Sequence, residues 1–129
     1  MPESIGEAVS NLSPAQLHEL LVDLSDEVMK LAKDVAAKEV AVRISTGKYK
    51  AAQAKAAFLL KGTASPSVVK LIVEGNEEVA TARDVLIGDE AIHTMAKAEL
   101  EGRTAQYQGI KKLIDLKVEE IRAFKAGNR

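Results

Sequence analysis

The sequence predicts an all-α fold: an elongated helical hairpin of two long helices with a short connecting helix, assembling into a homo-oligomer. Three observations carry this. Two Ser-Pro helix starts, Ser13-Pro14 and Ser65-Pro66, each precede apolar residues at helical spacing. No proline interrupts the chain between Pro14 and Pro66. Aromatic content is 3%, so the core must come from Leu, Ile, Val and Ala on helix faces.

At the first start, Ser13 is the N-cap, Pro14 takes the first helical position and Gln16 completes a capping box, with Leu12 and Leu17 as a hydrophobic staple. Ser25-Asp26 offers a break that would leave a short acidic helix over 14–24. Beyond it, Leu17, Leu20, Leu24, Val28, Leu31, Val35, Val42, Tyr49, Ala56 and Leu60 fall on one stripe. Gly47, after Ser45-Thr46, is a point where the helix would bend. Gly62 supplies the C-cap.

Ser65-Pro66 opens a short apolar helix through Val68, Val69, Leu71, Ile72 and Val73, ended by Gly75. The β-branched run also reads as a strand, but nothing else in the chain would pair with it. Asn76 caps a last helix whose first turn holds Glu77 and Glu78, where the macrodipole favours acids. Its stripe runs through Val79, Ala82, Leu86, His93, Ala96, Leu100, Tyr107, Ile110, Ile114, Ile121 and Phe124, and also meets Asp89, Arg103 and Lys117. The expected organisation is a flexible acidic arm over 1–13 and one oligomerising helical domain over 14–129.

Charge is unevenly placed. The formal net charge is −1, yet residues 27–62 hold eight Lys/Arg against three acids, while residues 1–26 hold five acids and no Lys or Arg. A basic helix beside an acidic leader points to an anionic partner, nucleic acid first. Lys48 and Lys55 line one flank of the helix, Arg43, Lys50 and Lys61 the other. These five are the candidate phosphate contacts. Lys is a point charge without bidentate base readout, so binding should be sequence-tolerant, salt-sensitive and little helped by stacking, since only Tyr49 and Phe58 lie among the lysines. Val40, Ile44 and Phe58 fall away from the main stripe and, with Ile114, Ile121 and Phe124, are the expected subunit contacts.

Enzyme chemistry finds no purchase, and no catalytic residue is assigned. Thr46-Gly47-Lys48 imitates the end of a phosphate-binding loop, but Val42 stands where its first glycine belongs and Tyr49 where its Ser/Thr belongs. Glu90-Ala91-Ile92-His93 is a single E-x-x-H unit. Di-iron bundles need two, plus two further Glu, so no metal or other cofactor is expected. His93 reads as a seam histidine with a hydrogen-bond partner, and His18 as a surface residue. The chain has no Cys, which fits a reducing compartment. No apolar run approaches the ~20 residues of a membrane span, and the acidic start lacks a signal peptide's basic region. A cytoplasmic protein with no membrane partner is expected.

The order of parts resembles the phage recombination-mediator family (UvsY-like proteins). The residues that carry this are the Ala- and Lys-rich stretch Ala51-Ala52-Gln53-Ala54-Lys55-Ala56-Ala57-Phe58-Leu59-Leu60-Lys61-Gly62, the capped helix from Ser65 to Glu74, and the ending Ile121-Arg122-Ala123-Phe124-Lys125-Ala126-Gly127. Ala57, Leu59 and Leu60 stand where the family's pattern has an Arg and paired aromatics, and the acidic leader has no counterpart. The resemblance implies a ring-like homo-oligomer that binds single-stranded DNA and helps load a RecA-like recombinase onto strands covered by single-strand-binding protein, in the cytoplasm of a bacterial host. A helical scaffold, adaptor or assembly chaperone acting only through protein contacts is the other expectation.

Overall fold

The computed structural model describes residues 11–127, so the expected acidic arm lies mostly outside the described residues. Among the described residues three helices follow one another: α1 (Pro14–Leu59), α2 (Pro66–Gly75) and α3 (Glu77–Gly127). No strand occurs among the described residues, and the run from Val68 to Val73 is helical.

Each helix starts where a side chain satisfies its open backbone donors. The Ser13 N–H donates to Gln16 Oε1 at 2.9 Å, and the Gln16 N–H donates to Ser13 Oγ at 3.2 Å. Ser65 Oγ accepts from the Val68 N–H, and Asn76 Oδ1 accepts from the Val79 N–H at 3.1 Å. These are the caps that local sequence dictates. α1 ends at Leu59, short of the expected cap at Gly62. Leu60 to Thr63 form turns, and Gly62 carries φ +80, a conformation that favours glycine.

α1 passes through Ser25-Asp26 and Gly47 without interruption. Ser25 is half-buried, and the apolar stripe keeps its spacing through both positions. Packing along the stripe therefore outweighs the ~1 kcal/mol a mid-helix glycine costs.

The chain divides into two compact units, one of residues 1–32 with 98–129, the other of residues 33–97. In the first, Leu17, Leu24 and Ile110 form the buried core, with Leu12, Leu20, Leu21, Tyr107, Leu113 and Ile114 packed against it. Its two segments run antiparallel: Arg103 pairs with Glu27 at 3.5 Å, while Lys117 Nζ donates to the carbonyl of Leu12.

In the second, Ala56, Val73 and Val79 are buried together, with Tyr49, Ala52, Ala57, Leu60 and Val69 against them. Inward positions on α1 alternate by four and three: Val35, Lys38, Val42, Ser45, Tyr49, Ala52 and Ala56, all at least half-buried. Their counterparts on α3 are Val79, Ala82, Leu86, Asp89, His93 and Ala96. This 3.5-residue repeat is coiled-coil spacing. Polar residues inside it are accommodated: the Ser45 hydroxyl donates to the Asp89 carboxylate, and Lys38 reaches out to Asp34 at 3.6 Å.

Candidate nucleic-acid interface

The five nominated cations all belong to the 33–97 unit. Arg43, Lys48, Lys50 and Lys55 are exposed on α1, and Lys61 is exposed in the turn that follows it. The helix sorts them by periodicity. Arg43 and Lys50, seven residues apart, stand on one flank, and Lys48 and Lys55 on the other. Between the two rows runs the face opposite the inward seam, which carries Val40 and Ile44 (52% and 55% exposed) and Phe58 (73%). Two rows of positive charge thus border an apolar strip.

Not all the cations are equally available. Arg43 donates to Glu39 one turn back at 3.1 Å, and Lys55 reaches Glu78 of α3 at 3.5 Å. Both are solvent-exposed pairs of little intrinsic strength, readily exchanged for a phosphate. Lys48, Lys50 and Lys61 make no ion pair among the described residues.

Lys70 was not among the nominated residues. It stands exposed on α2 at the rim of a groove of about 450 Å³ between α1 and α2, walled by Ala54, Ala57, Val69 and Val73. Its signal in the sequence, one lysine in an apolar run, is weak. α2 is held to both long helices through Glu74, which accepts from Gln53 Nε2 at 3.1 Å, Tyr49 Oη at 3.4 Å and Arg83 Nη1 at 2.8 Å. Its outer face leaves Val68, Leu71 and Ile72 exposed, and Phe58 and Leu59 near the end of α1 are exposed as well.

The nominated subunit contacts divide. Val40, Ile44, Phe58, Ile121 and Phe124 are exposed, whereas Ile114 packs into its own chain's core beside Ile110. The spacing that put Ile114 on a stripe could not say which helix would cover it.

His93 is half-buried in the seam, with no side-chain hydrogen bond among the described residues, and His18 is exposed. No group of three or more His, Cys, Asp or Glu is placed to hold a metal ion among the described residues. No described helix is long and apolar enough to cross a membrane. Comparison of the chain with protein-family models, with curated proteins and with solved structures finds no match.

Proposed function

We propose that this chain is a non-enzymatic, single-stranded-DNA-binding recombination mediator that works as a homo-oligomer and helps load a RecA-like recombinase onto strands held by single-strand-binding protein in a bacterial cytoplasm. The observation that carries the binding half is the pair of basic rows on an uninterrupted helix, with Lys48, Lys50 and Lys61 in no ion pair among the described residues. A row of point charges at helical spacing suits a phosphate backbone and gives little base readout. The mediator half rests on the resemblance carried by the Ala51–Gly62 stretch and the Ile121–Gly127 ending.

Seventeen large apolar residues are exposed among the described residues against five buried ones, Leu17, Leu24, Val73, Val79 and Ile110. That imbalance supports self-association, since a chain with so much uncovered apolar surface gains by covering it.

The test is a fluorescence-anisotropy titration on a labelled single-stranded oligonucleotide, with matched duplex as control. Replacing Lys48, Lys50, Lys55 and Lys61 together by Ala should weaken binding by roughly a hundredfold or more at low salt, as expected for loss of four phosphate contacts, and leave the helical circular-dichroism signal unchanged. Wild-type affinity in that variant would remove the site. A second reading, a protein-only scaffold or adaptor, is favoured by the exposed apolar residues Val68, Leu71 and Ile72 of the short α2. Absence of binding at low salt would select it.

A further inference from the structure

We infer that the outer face of α1 in the 33–97 unit pairs with α1 of a second copy, antiparallel and centred on Gly47, and that the two copies together build the polyanion site. The identity of the polyanion rests on the function proposed above; the pairing surface does not.

Opposite the inward seam, α1 carries a second row with the same alternation of four and three, from Ala37 and Val40 through Ile44 and Gly47 to Ala51, Ala54 and Phe58. Every member is exposed, and no charged or polar side chain interrupts the row. An outward helix face is ordinarily polar; an unbroken apolar 3.5-residue repeat is what a helix presents to another helix along its length.

Gly47, at the centre of this row, is compatible with that contact. It has no positive φ, and a Cβ built on it would meet nothing within 4 Å. Neither backbone conformation nor packing within this chain calls for a glycine that weakens the helix. The same is true of Gly88, Gly102 and Gly109 on α3; what sets Gly47 apart is its place at the centre of the apolar row, where it admits close approach of another backbone.

The order of side-chain sizes identifies the occupant. Turned antiparallel about Gly47, the row meets itself with Ile44 opposite Ala51, Val40 opposite Ala54 and Phe58 opposite Ala37. A large residue faces a small one in each of these layers. Parallel pairing sets Phe58 on Phe58 and leaves gaps between alanines, against the close packing that interfaces require. Self-complementarity of this kind is the mark of an isologous two-fold contact. The strip is ~30 Å long and about one helix diameter wide. It would bury on the order of 1,000 Å² over both copies, at the lower edge for a specific interface.

Such a pair brings like charges together. Arg43 falls beside Lys50 of the second copy, and Lys48 beside Lys48 of the second copy. The contact is therefore weak alone and strengthened by any polyanion laid along the flanks, and by reciprocity the polyanion binds the pair more tightly than it binds one copy.

The experiment is sedimentation velocity of the full chain over a range of concentrations, first without nucleic acid at moderate salt, then with a short oligothymidylate. Gly47→Leu favours the helix but fills the point of closest approach. It should weaken association by roughly tenfold or more with helicity retained. Ala51→Ile should weaken it likewise, and adding Ile44→Ala in the same chain should restore it, because the swap returns a large residue opposite a small one. Lys50→Glu, placed opposite Arg43, should tighten association at low salt and abolish the gain from oligothymidylate. Wild-type sedimentation in both Gly47→Leu and Ala51→Ile, or no rescue by Ile44→Ala, would overturn the pairing. Association that behaves as described with no response to oligothymidylate would overturn the shared polyanion site while leaving the pairing surface in place.

Discussion

Among single residues, Glu74 does the most to organise the 33–97 unit. Its carboxylate collects donors from Tyr49 and Gln53 of α1 and from Arg83 of α3, so one side chain fixes the short α2 to both long helices. Glu74 and Arg83 are each about one-third exposed, which limits the strength of the ion pair. Glu74→Ala leaves three donors without this acceptor. It should cost ~1–2 kcal/mol by urea denaturation, with Glu74→Gln intermediate because it keeps an acceptor. If Glu74→Ala unfolds at the wild-type urea midpoint, the carboxylate holds nothing. Nothing in the local sequence marks this hub. Its partners lie 9, 21 and 25 residues away, and an acid on a helix reads locally as a solvated face. The Ser45–Asp89 hydrogen bond, spanning 44 residues, was illegible for the same reason.

At the level of elements the sequence was easier to read, because helix starts are decided within four residues. Ser13, Ser65 and Asn76 each cap with their own side chain, and all three were legible. The reciprocal Ser13–Gln16 bonds make the first start the one to test. Ser13→Ala should cost about 1 kcal/mol and speed amide exchange in the first turn of α1, while leaving the first turns of α2 and α3 unaffected. An unchanged exchange rate there would mean that Pro14 and the Leu12–Leu17 packing suffice. Interruptions were harder. Ser25 and Gly47 look like breaks because local propensity is all the sequence offers, yet tertiary packing along an unbroken stripe keeps α1 continuous. Each residue assigned to the inward stripe, from Leu17 to Leu60, is buried or half-buried, but the stripe left out Lys38, Ser45 and Ala52, which also face inward. What covers the outward row was not legible, since periodicity reveals a face and not its partner. The alternation of large and small residues about Gly47 supplies that missing information.

Across the whole molecule, charge separates by unit. Residues 33–97 carry ten Lys/Arg against eight Asp/Glu, and the remainder carries eight against eleven. A polyanion is therefore directed to the 33–97 unit and away from the rest, even though the chain is nearly neutral. Salt dependence then counts the copies engaged. Each phosphate contact on a single strand contributes about −0.7 to the slope of log K against log salt. Five cations, Arg43, Lys48, Lys50, Lys55 and Lys61, give a limiting slope near −3.5 for one copy and near −7 for two, on the same principle. We expect the steeper value for an oligonucleotide long enough to cover both copies. Gly47→Leu should bring it back toward the shallower one, because it separates the copies without removing a charge. A shallow slope in the wild type would assign the binding to single copies. A steep slope that Gly47→Leu leaves untouched would place the second set of cations elsewhere in the assembly. Either result is read from the same anisotropy titration, repeated across salt.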